Sequence, residues 1–126
     1  MVYFDNVLGL PNAKRLEEDI QQLISFDSVV LMYLELERFD EINELYGIEV
    51  GDQYLRMIRD WLLLSEEKYV HFYRVNNGFV MLGKNVTLDE SKKRAEKILR
   101  RFNKPWSVSV GKHHYDVFDS ARMGIM

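Results

Sequence analysis

The chain has 126 residues, 47% of them hydrophobic, with 17 Lys and Arg against 20 Asp and Glu, a formal net charge of −3. That length and apolar content fit one α+β or α/β domain with a real core, and the acidic balance argues against a general binder of nucleic-acid backbones. Cysteine is absent, which removes disulfides, thiolate metal sites and cysteine nucleophiles, and with no bilayer-length apolar run or leader pattern the expectation is a soluble, cytoplasmic domain without membrane insertion.

Ala13, Leu16, Ile20, Leu23 and Ile24 recur at helical spacing after Gly9-Leu10-Pro11-Asn12, so an amphipathic helix over about 12–25 is entered through a loop and a cap. The apolar run from Val29 to Leu34 is β-prone and too short for a typical helix, as in a central strand buried on both faces. Glu35 and Glu37 stand where it ends. Next, "RFDEINELYG" predicts a short helix stopped by Gly47, and "VGDQYLRMIRDWLLL" a longer one with Tyr54, Leu55, Ile58, Trp61 and Leu62 on one face. In "YRVNNGFVML" an Asn-Gly pair divides two β-prone runs, a strong hairpin signal that predicts strands over about 69–75 and 79–83. A helix over about 88–103 turns Leu88, Ala95, Ile98, Leu99 and Phe102 inward, and "WSVSVG" after Pro105 predicts a last strand. The tail, "KHHYDVFDSARMGIM", carries only a weak helical pattern. The order α-β-αα-β-β-α-β contains a ferredoxin-like βαββαβ core, an antiparallel sheet with helices on one face.

Carboxylates at the carboxyl end of a buried strand stand where such sheets open into a ligand crevice. Glu35 and Glu37 share a face if the strand reaches them; the competing reading is that they mark where the strand meets water. Lys92, Lys93, Arg94, Lys97, Arg100 and Arg101 crowd one helix, but Glu96 interrupts them and the apolar period is kept, as on a solvated outer face. His113, His114 and Asp116 have no partner at helical spacing and fit a surface tail better than a metal site.

These residues carry a family resemblance. "DNVLGLPNAKRL" at 5–16 resembles the D-x-L-T-G-L-x-N-R-R entry of the GGDEF family, the bacterial diguanylate cyclase domains, which have a nucleotide-cyclase palm-like fold. "LELERFDEINELYGIEVGDQYL" at 34–55 resembles D-x-D-x-F-K-x-I-N-D-x-x-G-H-x-x-G-D-x-x-L, matching at Phe39, Ile42, Asn43, Gly47, Gly51, Asp52 and Leu55 without a gap. "WSVSVG" looks like the family's S-x-G strand. The family's R-x-G-G-D-E-F signature falls on "YRVNNGFVML": Arg74 matches its Arg, and Phe79 its Phe if the turn is one residue shorter. A gapless register reads Asn76, Asn77, Gly78, Phe79 and Val80 instead. Neither register leaves an acid in the turn.

In the family, GTP becomes cyclic di-GMP by attack of a 3′-hydroxyl on an α-phosphate, with divalent ions held by carboxylates from the strand end and from this turn. Metal-assisted displacement needs hard anionic oxygens, so the resemblance implies a degenerate domain with no catalytic residue and no required cofactor. Glu35 takes the place of a metal-binding Asp and, with the Leu36 carbonyl, implies a weak magnesium site. Asp40 stands where the family commonly has Lys, against triphosphate binding. Asn43 and Asp52 match the guanine-reading positions and Phe39 adjoins them, so GTP remains the implied ligand; the competing readings put Asn43 on a helix face in water and Asp52 in a helix cap. The family's R-x-x-D feedback site would fall at 67–70, where "EKYV" does not match it. The expected unit is one degenerate GGDEF-like domain over 1–126, part of a longer multidomain protein and shortened at its C-terminus, with "FDSARMGIM" the remnant of a further helix. Its expected role is regulatory, in cyclic di-GMP signalling, beside an EAL-type phosphodiesterase or other signalling domain. The alternative is a nucleotide-independent homodimerisation or interaction scaffold.

Overall fold

A computed structural model describes residues 3–23, 29–64 and 70–126. Its elements are α1 (Ala13–Leu23), β1 (Val29–Leu36), α2 (Phe39–Tyr46), α3 (Ile48–Leu64), β2 (Val70–Val75), β3 (Gly78–Lys84), α4 (Leu88–Arg101), β4 (Trp106–Val110), β5 (His113–Val117) and β6 (Ala121–Ile125). The main sheet has the order β2-β3-β1-β6 and every neighbouring pair is antiparallel. β3 slots between β1 and β2, and β1 between β3 and β6, the split arrangement of a ferredoxin-like core. The expected fold class holds.

Alternation along the strands divides the molecule into two cores. Met32, Leu34 and Leu36 of β1 and Phe72, Phe79 and Met81 of the hairpin pack with Ile42, Tyr54, Leu55, Ile58 and Ile98 of α2, α3 and α4. On the opposite face Tyr73, Val80 and Leu82 meet Leu16 and Leu23 of α1. Helices therefore cover both faces, not one. β1 is central, as expected, but Leu31, Tyr33 and Glu35 on its α1 side are only half-buried. The elements begin and end for local reasons. Asn12 Oδ1 accepts the Arg15 N–H at the start of α1 (3.1 Å), Gly47 closes α2 with φ 95°, and Thr87 Oγ1 accepts the Glu90 N–H at α4 (3.1 Å).

Several boundaries differ from the sequence reading. Ile24 lies outside the described residues, as does most of 67–70. Ala13 and Ile20 of α1 are exposed, because only its narrow Leu16–Leu23 stripe reaches the sheet. In α4 the expected inward residues Leu88 and Leu99 are exposed while Ser91 is buried; its inner face runs through Ser91, Ala95 and Ile98. Lys92, Lys93, Lys97 and Arg100 form the expected solvated face. Arg101 turns inward instead, and its guanidinium lies 3.6 Å above the Trp106 ring.

The largest correction concerns the C-terminal quarter. "WSVSV" forms a strand but does not join the main sheet: β4 pairs with β5 in a separate hairpin turned at Gly111 (φ 60°). The tail is strand and not helix, and β6 completes the sheet by pairing with β1 from Met32↔Ile125 to Leu36↔Ala121. The core strand after α4 is thus β6, in which Arg122-Met123-Gly124 has the S-x-G spacing.

Candidate functional site

The entry segment and the signature hairpin are physically joined. Asp5 Oδ2 accepts the N–H groups of Val7 (3.0 Å) and Leu8 (2.7 Å), folding 5–9 into a tight loop that ends at Gly9 with φ 69°. Asp5 Oδ1 faces Arg74 Nη1 at 3.6 Å, and the Arg74 N–H donates to the Pro11 carbonyl (2.8 Å). Arg74 also donates through Nε to the Asn76 carbonyl (3.1 Å). The Asp and Arg of the two motifs thus brace one corner of the fold.

The turn itself is Asn76-Asn77, with Asn76 at φ 51°. Gly78 lies beyond it, paired with Val75 on one side and Glu35 on the other. Its role is space: a Cβ there would collide with the Leu34 carbonyl oxygen. Phe79 and Val80 are buried on opposite faces of β3, so both candidate signature registers place an apolar core residue after the turn. The Leu36 N–H donates to the Asn77 carbonyl (3.0 Å), and Asn77 Nδ2 donates to Asp40 Oδ1 (3.3 Å). The turn is closed onto the start of α2.

At the other end of α2, the carboxamide of Asn43 lies against Gly51, where a Cβ would overlap it. Asn43 Oδ1 is buried and has no hydrogen-bond partner. Asp52, the next residue of α3, is half-exposed within the helix, not at its cap. Asn43 of α2 thus packs against the residue that precedes Asp52 in α3, and α2 carries Asn43 and Asp40 on one element. Phe39 is only 6% exposed in the main core, so what it offers a ligand is its backbone.

Glu35 does not join this group. It alternates onto the α1 side of β1 with Leu31 and Tyr33, while Leu34 and Leu36 face α2 and α3. The strand ends before Glu37, which pairs with Arg122 (3.3 Å). Glu37 is held by Arg122 and Asp40 by Asn77, and the metal ligands the resemblance implied remain Glu35 and the Leu36 carbonyl. No group of three His, Asp or Glu able to hold a metal ion occurs among the described residues. One carboxylate and one backbone carbonyl are a sparse donor set, of the size magnesium uses where phosphates and waters complete its octahedral shell.

A buried carboxylate that the sequence reading missed stands behind the site. Asp119, between β5 and β6, is 7% exposed. Its Oδ1 accepts the N–H groups of Arg38 (2.9 Å) and Ser120 (2.7 Å), and its Oδ2 accepts the Tyr54 hydroxyl (2.6 Å). Burial raises the Asp119 carboxyl above its ordinary range, against the opposing pull of the hydrogen bonds. Burial and the Asp119 charge likewise raise the Tyr54 phenol. The signal available in sequence was Gly111 between two alternating runs, "WSVSV" and "HHYDV", which marks a hairpin and places Asp119 just beyond it.

No helix among the described residues is long and apolar enough to cross a membrane. Comparison with known proteins gives the same relationship throughout. The chain is 28% identical over 125 residues to the cyclic di-GMP phosphodiesterase PdeR of Escherichia coli, covering 96% of this chain and 18% of that protein. It is 28% identical over 127 residues to the bifunctional diguanylate cyclase/cyclic di-GMP phosphodiesterase MucR of Pseudomonas aeruginosa, with the same two coverages. The chain thus spans about a fifth of the length of these relatives. Among solved structures, the GGDEF domain of DgcB from Caulobacter crescentus, in complex with c-di-GMP, superposes with a TM-score of 0.85 at 15% identity, over 99% of this chain and 74% of that one. Residues 2–125 match the family described as diguanylate cyclase, GGDEF domain, and the chain belongs to that family.

Proposed function

We propose that this GGDEF domain does not make cyclic di-GMP and serves as a regulatory module that binds GTP, controlling a phosphodiesterase or other signalling domain attached to it or partnered with it. The observation that carries the reading is the signature turn. Asn76, Asn77 and Gly78 supply no carboxylate, and Asn77 bonds to Asp40. A phosphoryl-transfer site needs anionic ligands for its metal and cationic support for the phosphates, and this corner offers a carboxamide paired with an acid. Magnesium, if it enters with the nucleotide, would have Glu35 and the Leu36 carbonyl as protein ligands, and the phosphates would have to supply much of its shell.

The guanine half supports binding. Asn43 Oδ1 is buried against Gly51 and has no hydrogen-bond partner. A buried polar group without a partner is costly and calls for an explanation; a purine edge is a chemically apt partner for it, with the Asp52 carboxylate accepting guanine N–H groups. The MucR relative, whose name joins cyclase and phosphodiesterase activities, supports the pairing with a phosphodiesterase.

The test is isothermal titration of GTP into the chain with and without magnesium, with cyclic di-GMP assayed in the same samples. The expected result is saturable binding, no product, and loss of binding in an Asn43→Ala, Asp52→Ala double variant. Cyclic di-GMP formation overturns the loss of cyclase activity. Absence of binding at millimolar GTP favours the second reading, an interaction scaffold, for which Asp40 in the place of a cation is the specific argument.

A further inference from the structure

We infer that the corner between β5 and β6 is a latch that positions the start of α2, with Asp119 as its positioning residue. The inference rests on the GTP reading only for its consequence at the Asn43–Asp52 pair.

The helix concerned has little of its own to hold it. α2 has eight residues, below the length at which an isolated helix is stable in water, and its N-cap residue Arg38 makes no side-chain capping bond. The backbone donors at its entry are bound from a segment about eighty positions away. Asp119 takes the Arg38 N–H, and the Ser120 carbonyl takes the Glu37 N–H (3.0 Å). Asp119 also places a carboxylate at the amino end of α2, where the helix dipole favours negative charge. The other Asp119 oxygen is fixed by Tyr54, whose fully buried ring packs edge-on to Trp106 of β4 (centroids 6.1 Å apart). One side chain therefore joins α2, α3 and the β5–β6 corner, while the β4–β5 hairpin bears on Tyr54 from behind.

What α2 carries makes this joint consequential. Asp40, two residues from the latch at Arg38, receives the turn residue Asn77, and Asn43 packs on Gly51, the residue before Asp52. Movement at the β5–β6 corner is transmitted to both through Arg38. The two variants of this bond differ: an Asn at 119 can still meet the Tyr54 hydroxyl by donating its Nδ2–H to it, whereas a Phe at 54 leaves the second Asp119 oxygen without that partner.

The test is hydrogen exchange of the whole chain with three variants, followed by GTP titration in magnesium. In Asp119→Ala the amides of Ile42 and Gly47, which bond to the Arg38 and Asn43 carbonyls, are expected to exchange about tenfold faster or more, with β3 amides unchanged. Asp119→Asn keeps acceptors for Arg38 and Ser120 and is expected to restore wild-type exchange at α2. GTP affinity should fall about tenfold in Asp119→Ala and stay within about twofold in Asp119→Asn. Unchanged α2 exchange in Asp119→Ala overturns the latch, and so does uniform acceleration across β3 and α2, which marks a general loss of stability. Should Asp119→Ala fail to fold, Tyr54→Phe is read the same way: selective acceleration at α2 supports the latch and none overturns it. If wild type binds no GTP, the nucleotide reading fails and the exchange pattern still decides the latch.

Discussion

At Gly78 one methyl group determines whether β3 can lie against β1. Any Cβ there meets the Leu34 carbonyl oxygen, whereas a Cβ at Gly124 in β6 meets nothing within 4 Å. Gly78→Ala is therefore expected to cost about 1–3 kcal/mol, as overpacked positions do, and Gly124→Ala to stay within about 0.5 kcal/mol. Urea midpoints of the two variants against wild type provide the check, and equal midpoints would overturn the steric reading. The sequence showed that this stretch turns but misplaced the turn by one residue. The Asn-Gly signal concerns positive φ; here Asn76 supplies the positive φ, and the glycine is needed for close approach. These two uses of glycine look the same in sequence.

Among the elements, the helices were legible to within a few residues because each carries a 3.6-residue apolar period over two turns or more. Of the C-terminal strands only β4 was, and β5 and β6 were not. β6 pairs with β1, which lies about ninety positions earlier, and its residues alternate only between half-buried and exposed. A strand that buries little has little pattern to read. Asp119 was missed for the same reason, since its partners come from α3 and from the entry to α2. Its environment makes a pH prediction. The folded-state carboxyl binds its proton more tightly than the ordinary value of 3.8, so protonation stabilises the native state. That contribution is fully present below about pH 4 and is lost as the pH rises through the folded value. Asp119→Asn keeps acceptors for both N–H groups without burying a charge. The stability of this variant relative to wild type should therefore rise between pH 4 and pH 7. Urea unfolding of both proteins at the two pH values tests the sign, and a falling or constant difference would refute the assignment.

For the whole molecule, the family register in the sequence singled out Asn43 and Asp52, and the fold packs Asn43 against Gly51, the residue before Asp52. Register could not show that Glu35 alternates to the other face of β1, because that depends on which side α2 and α3 cover. On the proposed reading, a domain whose Asn43 and Asp52 read guanine beside a weakened phosphate corner should act as a ligand-responsive body without turnover. Binding to the native state alone stabilises it by RT ln(1 + [L]/Kd), about 2.7 kcal/mol at a hundredfold excess over Kd. For a chain of 126 residues this corresponds to a rise in Tm of roughly 10 °C, from the usual unfolding entropy per residue. GTP should produce that rise in wild type, and the Asn43→Ala, Asp52→Ala variant should lose it. ATP should give a much smaller rise, since adenine lacks the N1 and N2 hydrogens that Asp52 would accept. Equal shifts with GTP and ATP would locate the binding energy in the phosphates and count against the guanine pair. A GTP-specific shift without cyclic di-GMP would mean that nucleotide recognition in this chain operates apart from catalysis.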